Sequence, residues 1–326
     1  MNEVYKVTRD KYLIIKHGAL GDILQGLDAF ESLRKSFPLA NLTLLTSPAF
    51  ASLANLMPYF DSIIIDERKP FYYFRKTYQI RNHFRKNWTA VIDLQCSKRT
   101  TAYFDWFYKR GGGNWYGTAK ECSHPMPDFT NVNNRDRMLE AVKMAGASEF
   151  KAELSWLVKD SKMVFKKFKL KKPYCVIIPG SSPQKPSKRW SAEKYANLSN
   201  SLYELGITPY LTGTKIERKI AMEVCANSRA SEILVDNTSL QELAQIFTKA
   251  QFIVGNDTGP TFLAARIGAP TLMIMGDDTN PYISSPTGPA TGIIYKANIQ
   301  EITTQEVINK VQELRFFSFK MRSQAH

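Results

Sequence analysis

Residues 250–276 read Ala-Gln-Phe-Ile-Val-Gly-Asn-Asp-Thr-Gly-Pro-Thr-Phe-Leu-Ala-Ala-Arg-Ile-Gly-Ala-Pro-Thr-Leu-Met-Ile-Met-Gly. Phe252-Ile253-Val254 is short, apolar and β-prone, as a buried strand is. It runs into Gly255-Asn256-Asp257-Thr258-Gly259, residues that tolerate unusual φ or bond their own backbone. Pro260 suits the first position of a helix, where no N–H is needed. Gly268 falls just past the end of that helix, and Ala269-Pro270 leads into a second apolar strand. Strand, polar turn and short helix in that order aim free backbone N–H groups out of the carboxyl edge of a parallel sheet. Such an edge suits a phosphate or diphosphate. Asp257 would repel a phosphate, so it reads as holding the turn or accepting from a sugar or amide. The blander reading is an ordinary βαβ turn with a capping Asp.

The same alternation extends in both directions. Strands are expected at 12–16, 42–46, 62–65 and 90–94, with helices at 22–37, 50–57, 103–108 and 135–144. Residues 115–117 read as an edge strand and 122–134 as irregular. A second cycle begins at 174–178, after a very basic linker over 159–172, and continues with strands at 209–212, 233–235, 252–254 and 272–275. Ser191 caps a helix, with Trp190 and Tyr195 placed as a hydrophobic staple, and Ser239-Leu240-Gln241-Glu242 is a capping box. A last helix is expected from 304 to 317. This pattern implies two doubly wound α/β domains, 1–160 and 161–326, with the boundary near 160–172. Ligands of such folds bind outside the carboxyl ends of the strands. The expected site is therefore a cleft between the domains, with loops 17–22, 179–190 and 255–260 face to face. No internal sequence repeat is evident.

Bulk properties narrow the class. A chain of 326 residues suffices for two ordinary domains, and 44% hydrophobic with 23% charged residues is a globular balance. No apolar run approaches the roughly 20 residues that span a bilayer. Residues 1–10 lack a secretory apolar core, so a cytoplasmic location is expected. Cys96, Cys122, Cys175 and Cys225 show no close pairing, and the histidines are scattered, which points to neither a disulfide framework nor a metal centre. The formal net charge of +14 implies acidic partners: nucleic acid, anionic lipid or a phosphorylated substrate. Within 68–92 there are seven Lys or Arg and no acid, interleaved with Phe71, Tyr72, Tyr73, Phe74, Tyr78, Phe84 and Trp88. The segment reads as an amphipathic helix with solvated charges, or as a surface for a membrane interface or an anionic substrate.

Three loops carry candidate chemistry. Gly18 and Gly21 let the backbone of Lys16-His17-Gly18-Ala19-Leu20-Gly21-Asp22 approach a ligand, although their spacing is neither the dinucleotide fingerprint nor a phosphate-binding loop. Asp22 at the helix start is either a cap or a carboxylate able to take a proton from a hydroxyl. In the loop 178–190, Gly180, Ser181 and Ser182 supply backbone and hydroxyl donors, and Lys188 and Arg189 add fixed positive charge suited to a diphosphate. Glu217, after Thr212-Gly213-Thr214, is placed to accept from a ribose or to sit in a helix first turn.

Taken in order, these pieces resemble the bacterial ADP-heptose:lipopolysaccharide heptosyltransferases, glycosyltransferase family 9. The resemblance rests on Ile15-Lys16 with Gly21-Asp22, Asp93-Leu94-Gln95, Pro179-Gly180-Ser181 with Lys188-Arg189-Trp190, Gly213 with Glu217, the stretch 238–244, and Val254-Gly255-Asn256-Asp257-Thr258-Gly259-Pro260 with Leu263-Ala264-Ala265. It implies a GT-B fold of two facing Rossmann-like domains, the N-terminal one taking the acceptor and the C-terminal one the sugar nucleotide. It further implies an inverting, metal-independent transfer without a cofactor, from a nucleoside-diphosphate sugar to an anionic glycolipid or glycan, while the basic segment 68–88 adds the inner membrane surface as an expected partner. By position, Asp22 matches the general base, with Gly18 and Gly21 on the acceptor side. Lys188 matches the lysine at the donor phosphates, Glu217 the acid at the ribose, and Asp257, Thr258 and Gly259 the donor-binding turn. The family commonly carries His where this chain has Gln25, Ile178 and Phe262, so the resemblance leaves the donor sugar open. A nucleic-acid-binding protein is the rival suggested by charge, and it predicts binding that weakens steeply with salt. No nucleic-acid module is recognised. A nicotinamide-dependent enzyme would need G-x-G-x-x-G after the first strand, which is missing.

Overall fold

The computed structural model describes residues 9–323 other than 112, 128, 160, 183, 184 and 230. The chain divides into two units, Met1–Glu153 and Leu154–His326. The division falls ahead of the basic stretch expected to hold it. Part of that stretch is a helix, Ser161–Phe168, whose Val164 is buried. Lysines on either side of Val164 mask its apolar pattern in the sequence.

In the first unit the strands are β1 (Lys11–Ile15), β2 (Asn41–Thr46), β3 (Ser62–Ile65), β4 (Ala90–Asp93), β5 (Asn114–Gly117) and β6 (His124–Pro125). In the second they are β7 (Tyr174–Ile178), β8 (Thr208–Leu211), β9 (Glu232–Ile233), β10 (Ile253–Asn256), β11 (Thr271–Met275) and β12 (Thr291–Tyr295). The sheet orders are β3-β2-β1-β4-β5-β6 and β12-β11-β10-β7-β8-β9, and every pairing is parallel. Counted within each unit, the first sheet runs third, second, first, fourth, fifth, sixth, and the second sheet places its first and fourth strands side by side in the same way. The sequence shows no repeat, yet this central pairing recurs. β1, β4, β7 and β11 are buried along almost their whole length, which is why they read as continuous apolar runs rather than as alternation.

Two strands depart from expectation. β5 is not an edge, because β6 pairs beyond it, Tyr116 against His124 and Gly117 against Pro125. A pair of residues has no readable period, and Pro is tolerated at an edge. β12 has no counterpart among the expected strands; its register with β11 runs Thr271 to Thr291 through Met275 to Tyr295. Its residues are at most partly buried, so the apolar signal of a core strand is absent.

Local signals explain most helix ends. Ser191 Oγ accepts from Lys194 N at 3.3 Å, and the Trp190 and Tyr195 rings meet edge to face at 4.9 Å as the staple requires. Ser239 and Glu242 exchange backbone-to-side-chain bonds of 3.2 and 2.8 Å. Pro260 stands second, not first, in the helix Gly259–Arg266. The helix Lys98–Tyr103 continues into a π-helical turn, Phe104–Tyr108, which turns Phe104 and Tyr108 onto Trp115 with both ring centroids at 5.3 Å. No helix among the described residues is long and apolar enough to cross a membrane.

Candidate active site

In each sheet the first and fourth strands lie side by side, and the chain leaves them toward opposite flanks. At that point a crevice opens beyond the carboxyl ends of the strands. In the first unit it lies beyond β1 and β4, in the second beyond β7 and β10.

β1 delivers Lys16 and His17 into the interior of the first unit, both 2% exposed. Gly18 follows at φ +111°, and a Cβ there would run into the Phe50 ring, so this position requires glycine. Gly21 is buried in the helix Leu20–Gln25, and Asp22 stands one residue on, half-buried. Asp22 Oδ2 accepts from Ala19 N at 3.2 Å, which fastens the start of the helix. Its Oδ1 accepts from Asn134 Nδ2 at 2.9 Å. The same amide donates to Gln25 Oε1 at 3.0 Å, while Asn134 Oδ1 accepts from Arg137 Nη2 at 2.9 Å. Arg137 Nη2 also donates to Leu94 O at 3.0 Å, and Lys16 Nζ lies 3.4 Å from that carbonyl. Burial pushes the Lys16 amine down, against the pull of Asp22, while Arg137 adds to the lowering. Burial likewise pushes the Asp93 carboxyl up, although Gln95 N and Cys96 N donate to it at 3.0 and 2.9 Å.

A second buried cluster ties this loop to its neighbours. His17 Nε2 is 2.9 Å from Asp66 Oδ2, Tyr103 donates to the same oxygen, and Arg99 Nε lies 3.5 Å away. Burial of Asp66 opposes ionisation, but the hydrogen bonds from His17, Tyr103 and the Arg68 backbone prevail and bring its pKa down to about 2. His17 N donates to Gln95 Oε1 at 3.0 Å and His17 O accepts from Ser47 Oγ at 2.7 Å. The loop carrying Gly18, Gly21 and Asp22 is thus fixed from three neighbouring loops.

The second unit fills its crevice with opposite chemistry. Lys188 Nζ is 2.5 Å from Asp257 Oδ2, so two residues singled out independently form one ion pair, 14% and 9% exposed at their side chains. Arg189 Nε donates to Ser181 Oγ at 3.1 Å, and its Nη2 to Ser181 O at 3.3 Å. Ser181 is buried, whereas Ser182 is exposed and its carbonyl accepts from Lys185 N at 3.0 Å. At the start of the helix Gly259–Arg266 the Thr258 and Gly259 N–H groups have no hydrogen-bond partner among the described residues. Glu217 Oε2 accepts from Thr214 N at 2.7 Å, and its side chain lies so close to Gly180 and Gly213 that a Cβ on either would strike it. Glycine at both positions lets this carboxylate lie against the Gly180 backbone.

The residue that assembles these pieces is Asn256, which sequence reasoning passes over as part of a turn. It is fully buried at the end of β10. Its Oδ1 accepts from Trp190 N at 3.1 Å and Tyr195 OH at 2.9 Å, and its Nδ2 donates to Pro179 O at 2.8 Å and Gly180 O at 3.2 Å. One side chain therefore holds the loop after β7 against the loop after β10. In the first unit Asn134 fastens Asp22, 112 residues away, together with Gln25, and Arg137 of the same helix reaches the carbonyl after β4. Neither asparagine carries a local signal of its own; Asn256 is marked only by the Gly-rich stretch 255–259 in which it stands.

The three departures are all interior. Gln25 and Ile178 are buried and Phe262 is 5% exposed, so Phe262 packs as a core residue of its helix. Gln25 Nε2 has no hydrogen-bond partner among the described residues. Among the described residues no group of three or more His, Cys, Asp and Glu is placed to hold a metal ion.

Two parallel six-stranded α/β sheets with this winding give a GT-B-like fold. The family model described as glycosyltransferase family 9 (heptosyltransferase) matches residues 86–314. The chain belongs to this family and is a glycosyltransferase family 9 enzyme. It is 22% identical to lipooligosaccharide heptosyltransferase 2 of Haemophilus ducreyi, over 93% of this chain and 99% of that protein. A family 9 glycosyl transferase structure from Veillonella parvula superposes with a TM-score of 0.77 at 16% identity, covering 94% of this chain and 97% of the other. The E. coli heptosyltransferase WaaC, solved with ADP, gives a TM-score of 0.71 at 21% identity, covering 93% and 99%.

Proposed function

We propose that the protein is an inverting, metal-independent transferase that moves a sugar from a nucleoside-diphosphate sugar to a lipopolysaccharide core or related glycan. By analogy with its relatives, whose names are those of heptosyltransferases and one of which was solved with ADP, the donor is ADP-heptose. The observation that carries the reading is the edge of the second unit, where Lys188 and two unpartnered N–H groups converge beside Asp257. The Asp257 carboxylate holds the ammonium in place and leaves its other protons for phosphate oxygens. Thr258 and Gly259 N–H supply the dipolar half of the same diphosphate site. Glu217 accepts from the donor ribose, and Gly180, Ser181 and Ser182 shape the loop around it.

The first unit takes the acceptor. Asp22, oriented by Asn134, accepts the proton of the acceptor hydroxyl as its oxygen bonds to the anomeric carbon. The bond from that carbon to the diphosphate breaks, and the nucleoside diphosphate leaves with the electron pair. Charge on the leaving group grows through the transition state, so a fixed cation at Lys188 stabilises that state more than bound donor. A cytoplasmic location belongs to the same proposal. A thermal-shift panel of nucleoside-diphosphate sugars tests the donor, because a ligand at 100 times its dissociation constant adds roughly 2.7 kcal/mol of stability. ADP-heptose should shift unfolding most, and transfer should persist with chelator. The reading fails if no sugar nucleotide shifts unfolding or if transfer strictly requires added magnesium or manganese.

A further inference from the structure

We propose that the outer face of the first unit, built by the helix Phe74–Phe84 and the turns 104–111, docks on an anionic lipid bilayer. Along that helix Phe74, Tyr78, Arg81 and the capping Arg85 recur at helical spacing, and all four are exposed. Buried Ile80 and Phe84, on a different side of the helix, hold it against the core. The second element contributes Trp106 and, one turn on, Arg110, both exposed. Trp106 is anchored by Phe71, with ring centroids 4.6 Å apart.

Between the two elements lies a groove of about 500 Å³ lined by Arg81, Arg85, Lys86 and Arg110, with no carboxylate among its lining residues. None of the four makes an ion pair or a side-chain hydrogen bond among the described residues. Cations of the same two elements that do not line the groove are paired, Lys76 with Glu67 and Lys109 with Glu121, as is Lys143 with Glu149 farther along the chain. Unpaired like charges held close repel one another, so an anionic partner relieves the cluster. Asp105, next to Trp106, is an exposed acid on this side and does not line the groove.

The aromatic residues decide which anion. Phe74 is 81% exposed, Tyr78 57% and Trp106 60%. Phe74 and Tyr78 stand outside the groove, where a flat partner reaches them and a strand lying in the groove does not. Large rings beside cations suit a bilayer interface, with phosphate headgroups at the arginines and rings at the acyl boundary. This inference does not depend on the transfer reaction, and its test uses no donor.

Flotation of the full chain is measured with phosphatidylcholine vesicles and with vesicles that also contain phosphatidylglycerol. Binding should appear only with the anionic lipid and weaken as salt is raised. The triple variant R81Q/R85Q/R110Q should partition on the order of 100-fold more weakly, since each cation near the surface adds a several-fold factor. The single variant Trp106→Ala should lose less and retain the salt dependence. The three arginines are exposed and make no ion pair among the described residues, so the unfolding midpoint of the triple variant should stay at the wild-type value. Equal binding to both vesicles, wild-type binding by the triple variant, or tight binding of a single-stranded oligonucleotide with none to vesicles would overturn the proposal.

Discussion

At the carboxyl end of β1 the chain places a carboxylate, Asp22, held by neutral amide donors at 2.9 and 3.2 Å. At the equivalent end of β7 it places a cation, Lys188, held by Asp257 at 2.5 Å. The two sheets share the same central pairing of first and fourth strands, so topology fixes where each crevice lies and says nothing about its chemistry. The difference arises in the first loop after the first strand. In the first unit a short loop enters its helix within a few residues, and an acid in the first turn is favoured there. In the second a longer loop, 179–190, leaves room for two cations and for the glycine against which Glu217 packs. One crevice presents a carboxylate, the other an ion-paired lysine, and the proposed reaction uses the first to accept a proton and the second to hold an anion.

Substitution at Asp22 and at Asn256 tests whether the division of labour is real, and Asp22 should give the larger effect. Asp22→Asn keeps the size of the side chain and removes the base, so turnover should fall by about 10²–10⁴-fold, as measured by initial rates of transfer. Unchanged turnover would reduce Asp22 to a fastener of its helix. Asn256→Leu removes the clamp of the second unit and strands Trp190 N–H, Tyr195 OH and two carbonyls in the interior. Each stranded group costs about 1–3 kcal/mol, and relaxation recovers some of the sum, so denaturant unfolding should show a loss of about 2–4 kcal/mol. A variant as stable as wild type would mean that the two loops are held together by packing and not by this amide.

The fold is legible wherever strands are buried on both faces, because continuous apolar runs such as Leu13-Ile14-Ile15 and Val176-Ile177-Ile178 leave little choice. β6 and β12 are not legible: one is too short for a period and the other too exposed for an apolar run. The candidate site is half legible. Asp22, Lys188, Glu217 and the turn Asp257-Thr258-Gly259 stand after strand ends and announce themselves by residue type. Asn134, Arg137 and the His17–Asp66 pair do not, since each acts across tens of residues through a hydrogen bond that no local pattern records. Lys188 and the Asp257 turn are expected along one sheet edge because both follow strands, but the ion pair between them is not announced.

The assignment of donor to the second unit and base to the first stands or falls on one paired measurement: calorimetric titration of sugar nucleotide into Asp22→Asn and Lys188→Ala, with transfer rates taken on the same preparations. Asp22→Asn should bind donor as wild type does while transfer collapses. Lys188→Ala should bind donor more weakly and lose still more in turnover, because the charge it meets is greatest as the glycosidic bond breaks. Wild-type rates for Lys188→Ala, or a loss of donor affinity in Asp22→Asn as large as its loss of transfer, would contradict the account.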